Sequence, residues 1–195
     1  MTTSGWKDGW RVGARRCLSP NFGPRPPSSD VSLALVHSIS LPPGRYGGDA
    51  IERLFTNRLD WNEHSYYEQI RGIEVSAHFL IRRDGELVQF VSCDERAWQA
   101  GRSSWRGRAG CNDFSIGIEL EGLEGGTFEP AQYARLTDLL DATARRYPIE
   151  AVAGHEHVAP GRKQDPGRGF DWTRLANALG WSAERFPVSL GPSLD

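Results

Sequence analysis

At 195 residues and a formal charge of −2, the chain has the length of one domain and no surplus of either sign. That balance excludes bulk attraction to nucleic acid or to an acidic membrane surface. Three cysteines, Cys17, Cys93 and Cys111, form no CxxC pair, which excludes a disulfide framework and a cysteine zinc site. No stretch approaches the ~20 apolar residues of a membrane span. The opening residues lack an apolar run of signal-peptide length. With Met1 as the start, these features predict a soluble cytoplasmic monomer that buries roughly 70% of its unfolded surface.

Residues 1–30 are rich in Gly, Pro, Ser and Arg and read as an N-terminal arm packed on the domain, with Trp6 and Trp10 as anchors. Residues 21–27 hold three prolines, which lack an N–H and fix φ, so regular structure is not expected there. Residues 31–180 read as the domain proper, and 181–195 as a C-terminal tail. Val31 to Val36 is a short apolar run of the kind that forms a buried strand. It ends at His37, just before Pro42-Pro43-Gly44, which puts this histidine at the C-terminal end of a strand, where open α/β sheets gather their chemistry. A core histidine bonded to a backbone carbonyl is the alternative.

Residues 47–56 fit a short helix, and 57–72 a polar loop with a helical turn. Residues 74–83 alternate as a strand, Asp84-Gly85 gives a hairpin signal, and 86–91 returns. His78 in that strand reads as structural. Residues 97–112 form a long loop with Trp98, Trp105, Arg102, Arg106 and Arg108, side chains that suit a sugar ring and a carboxylate; a solvated basic loop is the alternative. Phe114 to Leu120 is the clearest strand. Ile116, Ile118 and Leu120 line one face; Ser115, Gly117 and Glu119 line the other. Burying Glu119 is costly unless the carboxylate is paired or used. Gly117 leaves room for another group to approach, and Glu121, nearer the strand end, is expected to be solvated. A helix over 130–147, a strand over 149–153, and a helix over 172–179 with Asp171 as N-cap and Gly180 as stop complete the chain.

The densest chemistry lies in Gly154 to Gly167, G-H-E-H-V-A-P-G-R-K-Q-D-P-G. Its prolines and glycines predict an ordered loop. His37, one of His155 or His157, and Asp165 could hold one zinc ion, with the fourth position left to water or substrate. Glu119 could move a proton between that water and a leaving amine, and Lys163 could steady an oxyanion. Together these parts specify amide hydrolysis. No HExxH is present, so the site is not of the thermolysin type.

Five ordered segments carry a resemblance: L-V-H-S-I-S-L-P-P-G from Leu35, V-S-A-H-F-L-I-R-R-D-G from Val75, R-A-W-Q-A-G from Arg96, C-N-D-F-S-I-G-I-E-L-E-G from Cys111, and the Gly154–Gly167 loop. The chain thereby resembles the zinc-dependent amidase_2 family, which also includes peptidoglycan recognition proteins. Within it, the resemblance is to the branch acting on 1,6-anhydro-muropeptides. The resemblance implies an α/β fold of one domain, a central mixed β-sheet flanked by helices. It implies one zinc ion on His37, His155 and Asp165, with Glu119 and Lys163 catalytic and His157 not a ligand. It also implies a small muropeptide substrate, cleaved between the lactyl group of N-acetylmuramic acid and L-alanine in cytoplasmic cell-wall recycling, which limits β-lactamase induction. Trp98, Ser38 and Arg108 are the expected substrate contacts.

The family pattern is broken at three positions. Glu74 and Gly110 stand where relatives carry arginines, with Arg71, Arg106 or Arg108 as compensating candidates. Ser38 stands where asparagine is usual. Two rival readings are an envelope or phage amidase acting on polymeric wall, and a muropeptide-binding sensor without catalysis. The intact set of ligands and Glu119 speaks against the sensor.

Overall fold

A computed structural model describes residues 5–187. Its centre is a six-stranded mixed sheet made of β1 (Arg15–Arg16), β2 (Leu33–Ile39), β3 (Phe79–Ile81), β4 (Leu87–Gln89), β5 (Ser115–Glu121) and β6 (Ala151–Gly154). The spatial order is β6-β2-β5-β3-β4-β1. The first four of these run parallel; β4 turns back antiparallel to β3, and β1 lies parallel to β4 at the edge. Five helices accompany the sheet: α1 (Ala50–Phe55), α2 (Ser65–Gln69), α3 (Pro130–Ala144), α4 (His155–Val158) and α5 (Trp172–Leu179). Among the described residues no helix is long and apolar enough to cross a membrane.

Strand alternation divides the sheet into two unlike faces. On one face Ala34, Val36, Phe79, Ile116, Ile118 and Leu120 form a continuous apolar layer against α3 and α5. Each of these six side chains is fully buried, which at ~1.5–3 kcal/mol for a large apolar side chain makes this layer the main source of stability. Helix α3 presents Tyr133, Leu136, Leu139 and Leu140 to it. Pro130 opens that helix, and Gln132 Oε1 accepts from the Glu129 N–H at 3.0 Å as half of a capping box. The Gln132 amide then donates to the carbonyls of Ile81 and Glu121, tying α3 to the ends of two strands.

The other face is apolar only at its two sides. Leu33, Leu35, Ala151 and Ala153 pack under Ala100, Phe114 and Val158 at one side. Leu80 and Val88 pack under α1 and α2 at the other. Between them runs the strip Ser115, Gly117 and Glu119 of β5, and there the covering layer parts into a cleft.

Several expectations change in detail. Residues 15–16 of the arm form the edge strand of the main sheet, while Trp6 is buried with its Nε1 donating to the Ala142 carbonyl at 3.2 Å. Phe22–Gly23 does form a short strand, antiparallel to Arg96–Ala97: only one proline-free pair of residues is needed for it. Strand β2 continues two residues past His37 because β5 supplies partners as far as Ile39. The strand expected over 74–83 is regular only at Phe79–Ile81, and its hairpin is longer than two residues: Arg82 N–H bonds the Glu86 carbonyl, with Gly85 at φ +87° in the turn. The long loop after Ala97 has structure of its own, a small hairpin of Ser104–Trp105 with Arg108–Ala109. Residues 155–158 make one helical turn where a loop is expected. Asp171 caps α5 by accepting from the Arg174 N–H at 2.8 Å, and Gly180 ends it at φ +62°. Of the expected tail, residues 188–195 lie outside the described residues.

Candidate active site

Sheet register assembles the site. In the parallel β2–β5 pair Glu119 stands opposite His37, and in the β2–β6 pair Gly154 stands opposite Val36. His155, the next residue, therefore leaves the end of β6 beside His37. The loop then folds back, with the Glu156 N–H donating to the Asp165 carbonyl at 3.0 Å, and returns Asp165 to the same point. Gly154 has no room for a side chain. A Cβ there would lie 2.8 Å from Pro166 Cδ and 3.0 Å from His157 Nδ1.

The outcome is three ligand atoms at one place. His37 Nδ1 lies 3.0 Å from His155 Nδ1 and 3.1 Å from Asp165 Oδ2; His155 Nδ1 lies 3.2 Å from the same carboxylate. All three residues are buried. One proton shared among these acceptors satisfies only some of the contacts, whereas a divalent cation satisfies all of them. Tetrahedral zinc with bonds of ~2.0–2.1 Å sets its ligands about 3.3 Å apart, so the observed spacings fit within a few tenths of an ångström. Two imidazoles and one carboxylate would leave a fourth position of such an ion to water or substrate, and all three residues line a cleft.

Charge in the site is arranged to match. Burial lowers the pKa of His37 and keeps its ring neutral, as a ligand must be. Burial alone would push Asp165 up, but hydrogen bonds from His155 and His37 outweigh it and hold the carboxyl well below the usual range. Glu119 goes the other way. Burial first, and the Asp165 charge second, push its pKa well above the usual carboxylate value, with Lys163 acting in opposition. Part of the Glu119 side chain is reachable from the cleft, but Oε2 is sealed from water and has no hydrogen-bond partner. Such an acid–base group with an elevated pKa beside a ligand cluster suits proton transfer near neutral pH.

The cleft holds about 420 Å³. His37, Glu119, His155, Lys163 and Asp165 line one end, together with Ser38. Leu41, Phe55, Tyr66, Ile70 and Val75 line the other. This apolar wall, drawn from four separate segments, has no sequence signal; it follows only from how α1 and α2 fold over β3. Gln99 also lines the cleft, and its carboxamide fills the space left by the missing side chain of Gly117.

Two of the expected substrate contacts do not line the cleft. Trp98 is half-buried, with its backbone paired to Ser76; it flanks the cleft without its side chain forming the wall. Arg108 lies 3.9 Å over the Phe114 ring and donates to Ser29 Oγ, drawn away by that cation–π stacking. Nor do the other compensating arginines reach it: Arg71 bonds Asn62 and Glu68, and Arg106 bonds the Glu184 carbonyl. His157 turns from the ligand cluster; its Nδ1 accepts from the Gly154 N–H and its ring packs on Trp172. His78 is fully buried, accepting from the Gly117 N–H through Nδ1 and facing the Glu95 carbonyl through Nε2. Glu121 is buried, not solvated. It pairs with Arg82 at 2.9 Å and accepts from the Gly47 N–H at 2.7 Å, because the loop after β2 folds over the strand end.

A family profile, Amidase_2 (N-acetylmuramoyl-L-alanine amidase), matches residues 27–168. The 1,6-anhydro-N-acetylmuramyl-L-alanine amidase AmpD of Citrobacter freundii is 52% identical over 170 residues, covering 86% of this chain and 91% of the relative. A crystal structure of a selenomethionine derivative of AmpD superposes with a TM-score of 0.86 at 50% identity, covering 89% of this chain and 98% of that one. The complex of the Escherichia coli amidase AmiD with anhydro-N-acetylmuramic acid-L-Ala-D-γ-Glu-L-Lys superposes with a TM-score of 0.55 at 30% identity, covering 79% of this chain and 60% of that one. With fold, register and profile in agreement, the chain belongs to the N-acetylmuramoyl-L-alanine amidase family.

Proposed function

We propose that this protein is a zinc-dependent amidase that cleaves the bond between the lactyl group of 1,6-anhydro-N-acetylmuramic acid and the L-alanine of the stem peptide. The observation that carries the reading is the convergence of His37, His155 and Asp165 beside Glu119, whose Oε2 is unpartnered, at one end of a cleft of about 420 Å³. The substrate is that named for its relative from Citrobacter freundii, which this chain matches over 91% of the relative's length. Recycling of small muropeptides in the cytoplasm is the setting proposed with it.

His37, His155 and Asp165 would hold one zinc ion, which when bound polarises a carbonyl and brings the pKa of water towards ~7. Glu119 takes a proton from the attacking water and returns it to the alanine nitrogen as the C–N bond breaks. Its raised pKa suits both halves of that transfer. Lys163, on the cleft wall, supplies a positive charge to the oxygen that becomes anionic in the tetrahedral state. Ser38 lines the cleft beside the ligand cluster, its buried hydroxyl still without a partner.

The test is mass spectrometry of products from 1,6-anhydro-muropeptide. Release of the L-alanine-headed peptide should stop in excess chelator and return with zinc. Persistent release in chelator would remove the metal from the reading, and no release under any condition would remove the amidase itself.

A further inference from the structure

A neutral imidazole carries one N–H, and whichever nitrogen holds it cannot bind a metal. In His155 the choice has consequences. Nδ1 lies 3.2 Å from Asp165, so a proton placed there would form a good hydrogen bond with the carboxylate and close the site to a cation. The opposite choice requires an acceptor for Nε2, and the Ala100 carbonyl oxygen supplies it at 3.2 Å. Both residues are buried.

That carbonyl belongs to the start of a long loop and is held from outside. The Arg162 guanidinium donates to the Ala100 oxygen at 2.6 Å and to the Arg102 carbonyl at 2.8 Å. Arg162 itself sits on the turn between His155 and Asp165, where its backbone N–H bonds the Ala159 carbonyl at 3.1 Å. One side chain thus ties the two segments whose relative position sets the Nε2 to oxygen distance. His37 has no such support: its Nε2 is buried without a partner.

We infer that Arg162 is a positioning residue for the metal site: by fixing the Ala100 carbonyl against His155 Nε2, it holds His155 with Nδ1 free to bind the cation. The inference rests on the proposed role of His37, His155 and Asp165 as zinc ligands. Partners of this kind, one bond beyond the ligand, typically change metal affinity by about 10–100-fold.

The experiment compares metal-stripped wild type with Arg162→Met and Arg162→Lys. Zinc affinity is read by competition with a chromogenic chelator, coordination by the visible spectrum of the cobalt(II)-loaded proteins, and folding by the metal-free melting temperature. Arg162→Met should weaken zinc binding by about 10–100-fold and shift the cobalt spectrum. Arg162→Lys, which keeps a cationic donor, should fall between. Zinc affinity within twofold of wild type in both variants overturns the inference, as does a fall in melting temperature alone, which would make Arg162 a loop clamp only. Wild type that binds no zinc overturns this inference and the metal reading together, whereas zinc-binding wild type with zinc-binding variants overturns this inference alone.

Discussion

Replacing Glu119 with glutamine should make the protein more stable and nearly inactive at once. The side chain keeps its shape, so packing is preserved, but the group no longer titrates. In the folded protein burial raises the Glu119 pKa, chiefly by removing water and secondly through the Asp165 charge. The sign follows from proton counts. Below the unfolded pKa of ~4.3 both states hold the proton, and wild type and variant should be equally stable. As pH rises, the unfolded state releases its proton first, so wild type loses stability until the folded pKa is passed. The variant does not titrate and escapes that loss. The loss is about 1.4 kcal/mol for each pH unit between the unfolded and the folded pKa, and a chain of this size gains ~2–4 °C in melting temperature per kcal/mol. Metal-free Glu119→Gln should therefore melt several degrees above wild type at pH 7 and at the same temperature at pH 4. Its kcat should fall by about 10²–10⁴, the usual worth of a positioned acid–base group. Calorimetry at the two pH values and turnover of anhydro-muropeptide check the pair. A variant no more stable than wild type at pH 7 would mean that the carboxylate is already satisfied, and the argument for its role would fail.

Other outcomes are expected elsewhere. Lys163→Met should lower kcat by about 10²-fold or more, as for loss of an oxyanion donor, with little change in melting temperature because the side chain is exposed. Glu121→Gln should weaken the pairing of buried Arg82, which keeps Glu52 as a partner, and lower stability by about 1.5–3 kcal/mol, the worth of one hydrogen bond to a charged group, read by urea unfolding. His78, whose pKa burial and then the Arg25 charge push down to about 3, stays neutral in the fold. Stability should therefore fall as pH drops from ~6.5 towards that value, because only the unfolded chain takes up the proton, and His78→Gln should flatten that limb of the unfolding curve. Small anhydro-muropeptides should be cleaved much faster than intact sacculi, and the reverse preference would favour a wall-degrading enzyme.

Much of the site could be read from the chain because its chemistry is local to strand ends. His37 follows an apolar run, Glu119 interrupts another, and His155 and Asp165 share one short loop; parallel register does the rest. The fold class was legible through the family resemblance, which implied a central mixed sheet flanked by helices. What stayed hidden is set by contacts that leave no periodic trace. Arg108 looks like a substrate residue by type and place, but a ring 3.9 Å away captures it. The apolar wall of the cleft comes from segments that read as a polar loop, because Tyr66 and Ile70 matter only once α2 lies over the sheet. Gly117 was readable as a gap, though not as the gap for Gln99.

Glu119 and Glu121 sharpen the point. They are two residues apart on the same face of the same strand, and sequence treats them almost alike. Sequence reasoning expected the second to be solvated, yet it is the more buried residue of the two. Glu121 meets Arg82, the Gly47 N–H and the Arg83 N–H, and Arg82 passes the charge on to Glu52, which also binds Arg15. Glu119 has no such donors around Oε2. A carboxylate surrounded by donors is held in place, which suits a brace for the loop that walls the cleft. A carboxylate without donors costs stability and keeps its proton exchangeable, which is what an acid–base catalyst requires. Neutralising the two should therefore shift stability in opposite directions, although the substitutions are chemically identical.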